Sequence, residues 1–336
     1  MSKRVSLKDI AVRVGVSTAL VSYVVNGLEK EKRVGPEVVK KIREVALELN
    51  YKPNQIARSL RKGSTNTIGL IVADIANPFF GQLARIIEDE AGKYNYTVII
   101  GSSDENCAKS ASLIDTFMDR QVDGFIIVPS ENCNREIEAL VKKEVPVVLV
   151  DRFLPGVEAS YIVLDNFRAT YEAVNHFVAK GYKRVAFIAY QSSLVHMQER
   201  IRGYRQAMLD NRLDAAIQVK ELSYSRAKDD MDKVMEELLA AEEKPDALLF
   251  ATNALSISGL YFIKNKGIRV PSQMAIIGFD GNEAFDFFYS PLTYIEQPID
   301  VMGTESVRIL MDQIKAFGKP IQVELKHRLV EGQSCG

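Results

Sequence analysis

The sequence predicts a two-part protein. An N-terminal all-α head carries a helix-turn-helix and a hinge helix, and a C-terminal α/β body is built as two parallel-sheet lobes. Three observations predict this. The run SLKDIAVRVGVSTALVSYVVN (6–26) reads as two short helices around a tight turn. Residues 1–64 hold 14 Lys+Arg and 6 Asp+Glu, a net +8, whereas the whole chain is −1, which leaves −9 beyond residue 64. From Thr65 onward, short runs rich in Val and Ile alternate with helical patterns.

In the head, Ser6 suits the N-cap of a first helix, where its oxygen can hold a free backbone N–H. Ile10, Ala11 and Val14 recur at helical spacing, Gly15 supplies the turn, and Ser17 is a second cap. In the second helix Val21, Val24 and Val25 share one face, with Thr18, Ala19, Ser22 and Asn26 opposite. A helix this short needs packing on its valine side. That leaves Thr18, Ala19, Ser22 and Tyr23 to meet a partner, the layout of a helix that lies in a DNA major groove. A third helix is expected from about Pro36 to Asn50, with Val38, Val39, Ile42, Val45, Ala46 and Leu49 as its apolar stripe. Pro53 then breaks the chain, and QIARSLRKG gives a two-turn segment that could fold against its copy or on DNA. A basic head on an acidic body suits a polyanion at one end only. The expected domains are 1–52 for the head, 53–64 for the hinge helix and linker, and 65–336 for the body.

The body's apolar runs are TIGLIVADI (67–75), YTVIIGSS (96–103), DGFIIVPS (123–130), PVVLVD (146–151), YIVLD (161–165), KRVAFIAY (183–190), QVKELSY (218–224), DALLFATN (246–253) and MAIIGFD (274–280). Strands apolar on both faces and linked by helices argue a parallel sheet covered by helices. About 270 residues is too many for one such sheet, so two lobes are expected. In open parallel sheets the ligand sits beyond the carboxyl ends of the strands. Asp74, Asp151, Asp165, Asn253 and Asp280 stand there, each equally able to be an ordinary cap or turn residue.

The opening SLKDIAVRVGVS, the helix VSYVVNG and the stretch ELNYKPNQIARSL together resemble the DNA-binding head of the lactose/galactose-repressor (LacI/GalR) family, and the resemblance runs through the body. It implies a regulator that binds a palindromic operator in double-stranded DNA as a homodimer. It places Ser6, Leu7, Ser17, Thr18, Ala19, Ser22, Tyr23 and Asn26 of the head on DNA, with Asn54, Ala57, Arg58 and Leu60 of the hinge. In the family this hinge folds on the operator and wedges a leucine, here Leu60, into the central base step, which is cheapest at a pyrimidine–purine step. Many members carry Arg where this chain has Tyr23; Arg reads guanine bidentately and Tyr cannot.

For the body the resemblance implies a periplasmic-binding-protein-like fold whose chain crosses between lobes three times. The crossings are expected near Asn166, Gln297 and Gln322, giving lobe one as about 65–166 and 298–322 and lobe two as about 167–297 and 323–336. It narrows the ligand residues to Asp74, Phe79 and Phe80 in DIANPFF, Asp151 in VLVDR, Arg200 rather than Arg202 in ERIRGY, Asn253 in FATNALSISG and Asp280 in IIGFDGNE. SPLTYIEQP (290–298) is a further signature. Of Phe79 and Phe80, one is expected to touch ligand and the other to be buried. Carboxylates, a guanidinium and an amide suit vicinal hydroxyls, so the expected effector is a carbohydrate or its phosphate. A purine would also suit Arg and Asn, and control by a partner protein is the further alternative.

No apolar segment reaches about 20 residues, so no membrane span is expected, and the N-terminus shows no secretory signal. Cys107, Cys133 and Cys335 are too few and scattered for a disulfide framework or zinc site, and His176, His196 and His327 have no metal spacing. Neither a dinucleotide nor a phosphate-loop motif is present, and no nucleophile–base pairing survives inspection. No cofactor, metal or catalytic residue is therefore expected, and an enzyme with a DNA-binding head has only the fold in its favour. A dimer is favoured over a tetramer because no leucine heptad tail follows the body.

Overall fold

The computed structural model describes residues 5–51 and 63–336, and the chain divides into two units, Met1–Thr65 and Asn66–Gly336. In the head, α1 (Leu7–Val14), α2 (Thr18–Val25) and α3 (Pro36–Glu48) enclose a small core of Ile10, Ala11, Val21, Val24, Val39, Ile42 and Val45. Ser6 Oγ accepts from Asp9 N, and the Asp9 carboxylate accepts from Ser6 N at 2.7 Å, a reciprocal cap. Gly15 turns the chain at φ 79°, which a side chain would resist. Ser17 Oγ caps α2 by accepting from Leu20 N at 3.2 Å. The third helix stops at Glu48, short of Asn50, because Asn50 takes φ 50° and Tyr51 N closes back onto Ala46 O at 2.9 Å. The expected hinge helix, with Asn54, Ala57, Arg58 and Leu60, lies outside the described residues.

The body has two six-stranded sheets. The first joins β1 (Thr67–Val72), β2 (Thr97–Ser102), β3 (Gly124–Ile127), β4 (Val147–Val150), β5 (Ser160–Leu164) and β11 (Gln322–Leu325) in the order β11-β5-β4-β3-β1-β2. The second joins β6 (Val185–Tyr190), β7 (Gln218–Leu222), β8 (Ala247–Phe250), β9 (Ala275–Phe279), β10 (Thr293–Glu296) and β12 (Arg328–Val330) in the order β12-β10-β9-β8-β6-β7. The pairings are parallel except β10 with β12. Lobe one takes α4 (Pro78–Lys93), α5 (Cys107–Asp119), α6 (Asn134–Lys142) and α12 (Ile299–Lys315). Lobe two takes α7 (Asn166–Ala179), α8 (Val195–Asp210), α9 (Ala227–Ala240), α10 (Asn253–Lys266) and the short α11 (Glu283–Phe287). Fully buried strand residues such as Leu70, Ile126, Val148, Phe187, Leu249 and Ile277 explain the near-continuous apolar runs, since both sheet faces are covered.

The chain leaves lobe one after Leu164, and α7 buries Ala169, Ala173, Val174 and Phe177 in the second core. It returns at Gln297–Pro298, and α12 buries Met302, Val307 and Leu310 in the first. The third crossing falls at Lys326–His327 rather than near Gln322. Val323 and Leu325 pair with Ile162 and Leu164 of β5, so residues 323–325 still belong to lobe one. One cysteine expectation is corrected. Cys107 and Cys133 are joined as a disulfide, with Cα atoms 5.4 Å apart, because the loops after β2 and β3 meet there. Among the described residues no helix is long and apolar enough to cross a membrane.

Candidate functional site

The carboxyl ends of the two sheets face one cavity of about 840 Å³. From lobe one, the loop after β1 brings Asp74, whose Oδ1 accepts from Ala76 N at 2.9 Å. Asn77 then caps α4 by accepting from Phe79 N at 3.1 Å. Phe79 and Phe80 start that helix edge-to-face, with ring centroids 5.1 Å apart. Both rings border the cavity and both are buried in the lobe's core, so the expected division between a ligand ring and a core ring does not appear in their packing. Asp151 follows β4 in a left-handed turn at φ 69°, and Arg152 Nε donates to its carboxylate at 3.2 Å. Arg152 also donates two bonds of 2.7 Å to the Glu105 carboxylate. Burial opposes the charge of Arg152, but Glu105 and Asp151 together outweigh it and raise its pKa. For Asp151 burial dominates and raises the carboxyl above its ordinary value, against the pull of Arg152 and Arg200.

From lobe two, Arg200 projects from α8. Its Nε donates to Asn166 Oδ1 at 2.8 Å, one Nη donates to Ala251 O at 2.6 Å, and its guanidinium lies 3.6 Å above the Phe279 ring. Burial lowers its pKa to about 10. The arginine reaches this place because α8 lies close against α7: a Cβ on Gly203 would stand 2.2 Å from Phe167 O, so only glycine allows the approach. Tyr204, next in the motif, anchors the helix by donating to Val185 O at 2.6 Å. Arg202 instead points outward and pairs with Glu199. Asn253 begins α10 and donates to Asp280 O at 2.9 Å, and Gln297 Nε2 donates to Asp280 Oδ1 at 2.8 Å. Burial raises the Asp280 pKa to about 6, countered by Arg200 and Gln297. His196 Nδ1 and Gln297 Oε1 are buried without a hydrogen-bond partner among the described residues, and both residues line the cavity. Burial drives the His196 pKa well down, helped by Arg152 and Arg200, which favours the neutral ring.

All seven residues expected at the cleft therefore line the same cavity. Asp165, the other strand-end candidate, instead caps α7 by accepting from Arg168 N. Sequence reasoning did not place Arg152, Glu105, Glu131 or Tyr224 at the cleft; it named Gln297 only as a crossing point and His196 only for lack of metal spacing. Arg152 carried a signal as the residue directly after a strand-end aspartate, and Gln297 as part of SPLTYIEQP. The lobes also touch each other. Tyr224 donates to Asp74 Oδ2 at 3.1 Å, Glu131 Oε1 accepts from Ser192 Oγ and Ser193 N at 2.6 Å each, and Leu194 of lobe two packs into a core of lobe one.

In the head, Thr18 and Ala19 are exposed on α2 and Tyr23 is half-buried. Ser6 and Ser17 are occupied as caps, and Leu7 packs on the small core. Asn26 Nδ2 turns back to donate to Ser22 O at 2.6 Å and Ser22 Oγ at 3.2 Å, so these two side chains engage each other.

Residues 6–54 match the bacterial regulatory proteins of the lacI family, and residues 174–335 match the periplasmic binding protein-like domain. Catabolite control protein A of Priestia megaterium is 31% identical over 335 residues, covering 98% of this chain and 99% of that protein. The chain belongs to the lacI family. Its members are DNA-binding transcription regulators, and this chain carries both of their parts. The lac repressor dimer bound to operator and the anti-inducer ONPF shares the fold, with a TM-score of 0.84 at 23% identity over 99% of each chain. A lacI family transcriptional regulator from Enterococcus faecium with bound ribose matches 80% of this chain and 98% of its own, with a TM-score of 0.71 and 26% identity.

Proposed function

We propose that this regulator binds a palindromic operator as a homodimer and is switched by a carbohydrate or sugar phosphate in the cleft between its lobes. The observation that carries the ligand class is the polar set around the cavity. Asp151 and Asp280 accept, Arg200 and Asn253 donate, and two buried polar atoms, His196 Nδ1 and Gln297 Oε1, have no described partner. Vicinal hydroxyls both donate and accept, so one small polyol can satisfy all of these at once. Phe79 and Phe80 supply the apolar wall that a sugar's C–H face needs. The relative with bound ribose supports the same class.

In this reading the side of α2 that carries Thr18, Ala19 and the half-buried Tyr23 enters the major groove, and Leu60 wedges the central base step. The protein acts where the DNA is, in the cytoplasm, and performs no chemistry on its ligand. Ligand shifts the two lobes between arrangements, and the shift reaches the heads as a change in operator affinity. A ligand that discriminates the two arrangements by about 3 kcal/mol changes occupancy roughly a hundredfold.

The test has two parts. In-vitro selection on random and genomic DNA at about 150 mM salt, where non-specific phosphate binding is weak, recovers a palindrome with a central pyrimidine–purine step. Calorimetry against sugars, sugar phosphates, purines and phosphocarrier proteins then identifies the effector. Heat with sugars supports the reading; heat only with a purine or a phosphocarrier protein replaces it.

A further inference from the structure

The tripeptide Glu-Asn-Cys occurs twice in lobe one, at 105–107 and at 131–133. Each copy follows a strand, β2 in one case and β3 in the other, and the two cysteines are the ones that pair. Each glutamate works in the cleft: Glu105 holds Arg152 through two bonds, and Glu131 holds Ser192 and Ser193 of the opposite lobe. The sulfur pair thus ties together two loops, each carrying a cleft carboxylate two residues from its cysteine. Cys133 is buried and Cys107 is half-buried, so a small reagent can reach the pair from the Cys107 side. Cys335 is buried far along the chain in the second lobe's core and takes no part.

We propose that Cys107 and Cys133 form a reversible dithiol–disulfide site whose oxidation fixes the floor of the cleft and strengthens the Glu131 bond to lobe two. The oxidant is a hydroperoxide. The Cys107 sulfur attacks one peroxide oxygen and breaks the O–O bond; the other oxygen leaves as water or an alcohol, taking the thiol proton, and a sulfenic acid remains. The Cys133 sulfur then attacks the Cys107 sulfur, the S–S bond forms, and the hydroxyl leaves as water with the second thiol proton. The two thiols lose two electrons and the peroxide gains them; a dithiol reductant reverses the change. With the bond made, the loops at 105–107 and 131–133 cannot separate, and Glu131 stays in reach of Ser193 N–H. With the bond broken, the two loops are held by packing and by hydrogen bonds nearer the strand ends, Ser103 Oγ with Ser130 Oγ at 3.1 Å and Arg152 with both the Glu105 carboxylate and Pro129 O. The inference concerns regulation of the cleft assigned above, but its test needs no effector, so it can fail while that assignment stands.

The experiment uses the full chain, reduced with dithiothreitol or oxidised with stoichiometric hydrogen peroxide and freed of reagent. Peptide mass spectrometry after alkylation follows the sulfurs, and hydrogen exchange follows the segment around Ser192–Ser193. The expected result is a linked Cys107–Cys133 peptide in the oxidised protein, with exchange of that segment slowed at least several-fold. Cys107→Ser abolishes both responses and Cys335→Ser keeps both. Cys133→Ala, an alternative at the buried position, abolishes them too. If both cysteines alkylate equally before and after peroxide, or if the link forms with unchanged exchange at Ser192–Ser193, the proposal is overturned. Because Glu136 lies beside the pair, zinc is added to the reduced protein as a third arm. One tightly held zinc per chain that blocks oxidation would assign the sulfurs to a metal and overturn the redox role.

Discussion

Gln297 Nε2 donates to Asp280 Oδ1 at 2.8 Å, and Gln297 is the residue at which the chain turns from lobe two back to lobe one. A carboxylate of the cleft and a crossing of the chain are therefore one hydrogen bond apart. A ligand that takes up Asp280 also loads the connection between the lobes.

That carboxylate makes stability depend on pH. Its folded pKa, raised to about 6 by burial, lies above the unfolded value of about 3.9. Between those values the folded state holds the extra proton, so this group's contribution to stability falls as pH rises to about 6 and is level above it. Asp280→Asn keeps an acceptor for Gln297 without a charge to bury. Relative to the parent, it gains about 1–3 kcal/mol between pH 4 and pH 7. Urea unfolding at those two values checks this; an equal difference at both excludes it.

Removing Arg200 leaves Asp151 and Asp280 without their shared buried cation and strips the Phe279 face. Arg200→Ala abolishes the effector's heat signal and lowers stability by about 3–5 kcal/mol. Arg200→Lys restores the charge but not the paired donors to Asn166 and Ala251, so it recovers stability before it recovers binding. Calorimetric titration and denaturant melts on both variants separate the two effects.

Leu194 sits on lobe two and packs in a core of lobe one. Leu194→Ala removes this apolar contact between the lobes and, at about 2–3 kcal/mol, shifts the lobes toward an open arrangement. Tyr224→Phe removes the hydrogen bond to Asp74 and acts in the same direction by about 1 kcal/mol. Small-angle scattering of the body should show a larger radius of gyration for Leu194→Ala, with Tyr224→Phe between it and the parent. No change in either would show that neither contact sets the closure.

On the head, Tyr23→Arg gives α2 a planar two-donor group at a half-buried position on the side proposed to read DNA. In-vitro selection with this variant should enrich guanine at one position in each half-site, where the parent enriches another base. An unchanged motif would remove Tyr23 from the base-reading set.

How much of this was legible in the sequence follows from the range of the interactions. The caps at Ser6 and Ser17 and the turn at Gly15 depend on residues within one helical turn, and the nine apolar runs each became a strand. β10, β11 and β12 were not recognised as strands because they are short and partly exposed. TYIE, QVEL and RLV carry no sustained apolar run, and partners far along the chain make them strands. The third crossing was misplaced for the same reason. The cleft candidates could be read from strand ends, but the ion pairing of Arg152 with Glu105 spans 47 residues and has no local signature. The cysteine pair could have been suspected from the repeated Glu-Asn-Cys, which a count of cysteines alone does not reveal.

The buried Ser334 ties β9 to β10 in the second sheet. Ser334 Oγ donates to Ile276 O and accepts from Thr293 N, and Ile276 N donates to Ser334 O at 2.9 Å. The first sheet likewise gains its edge strand only at Gln322–Leu325. On a ribosome the head can assemble once Tyr51 has emerged, the last described residue packed on its core. Both lobes of the body must wait until Gln322–Leu325 and Ser334 have been made. A nascent chain thus carries a folded DNA-binding module ahead of the unfinished body that governs it. Chains released early would keep the first without the second.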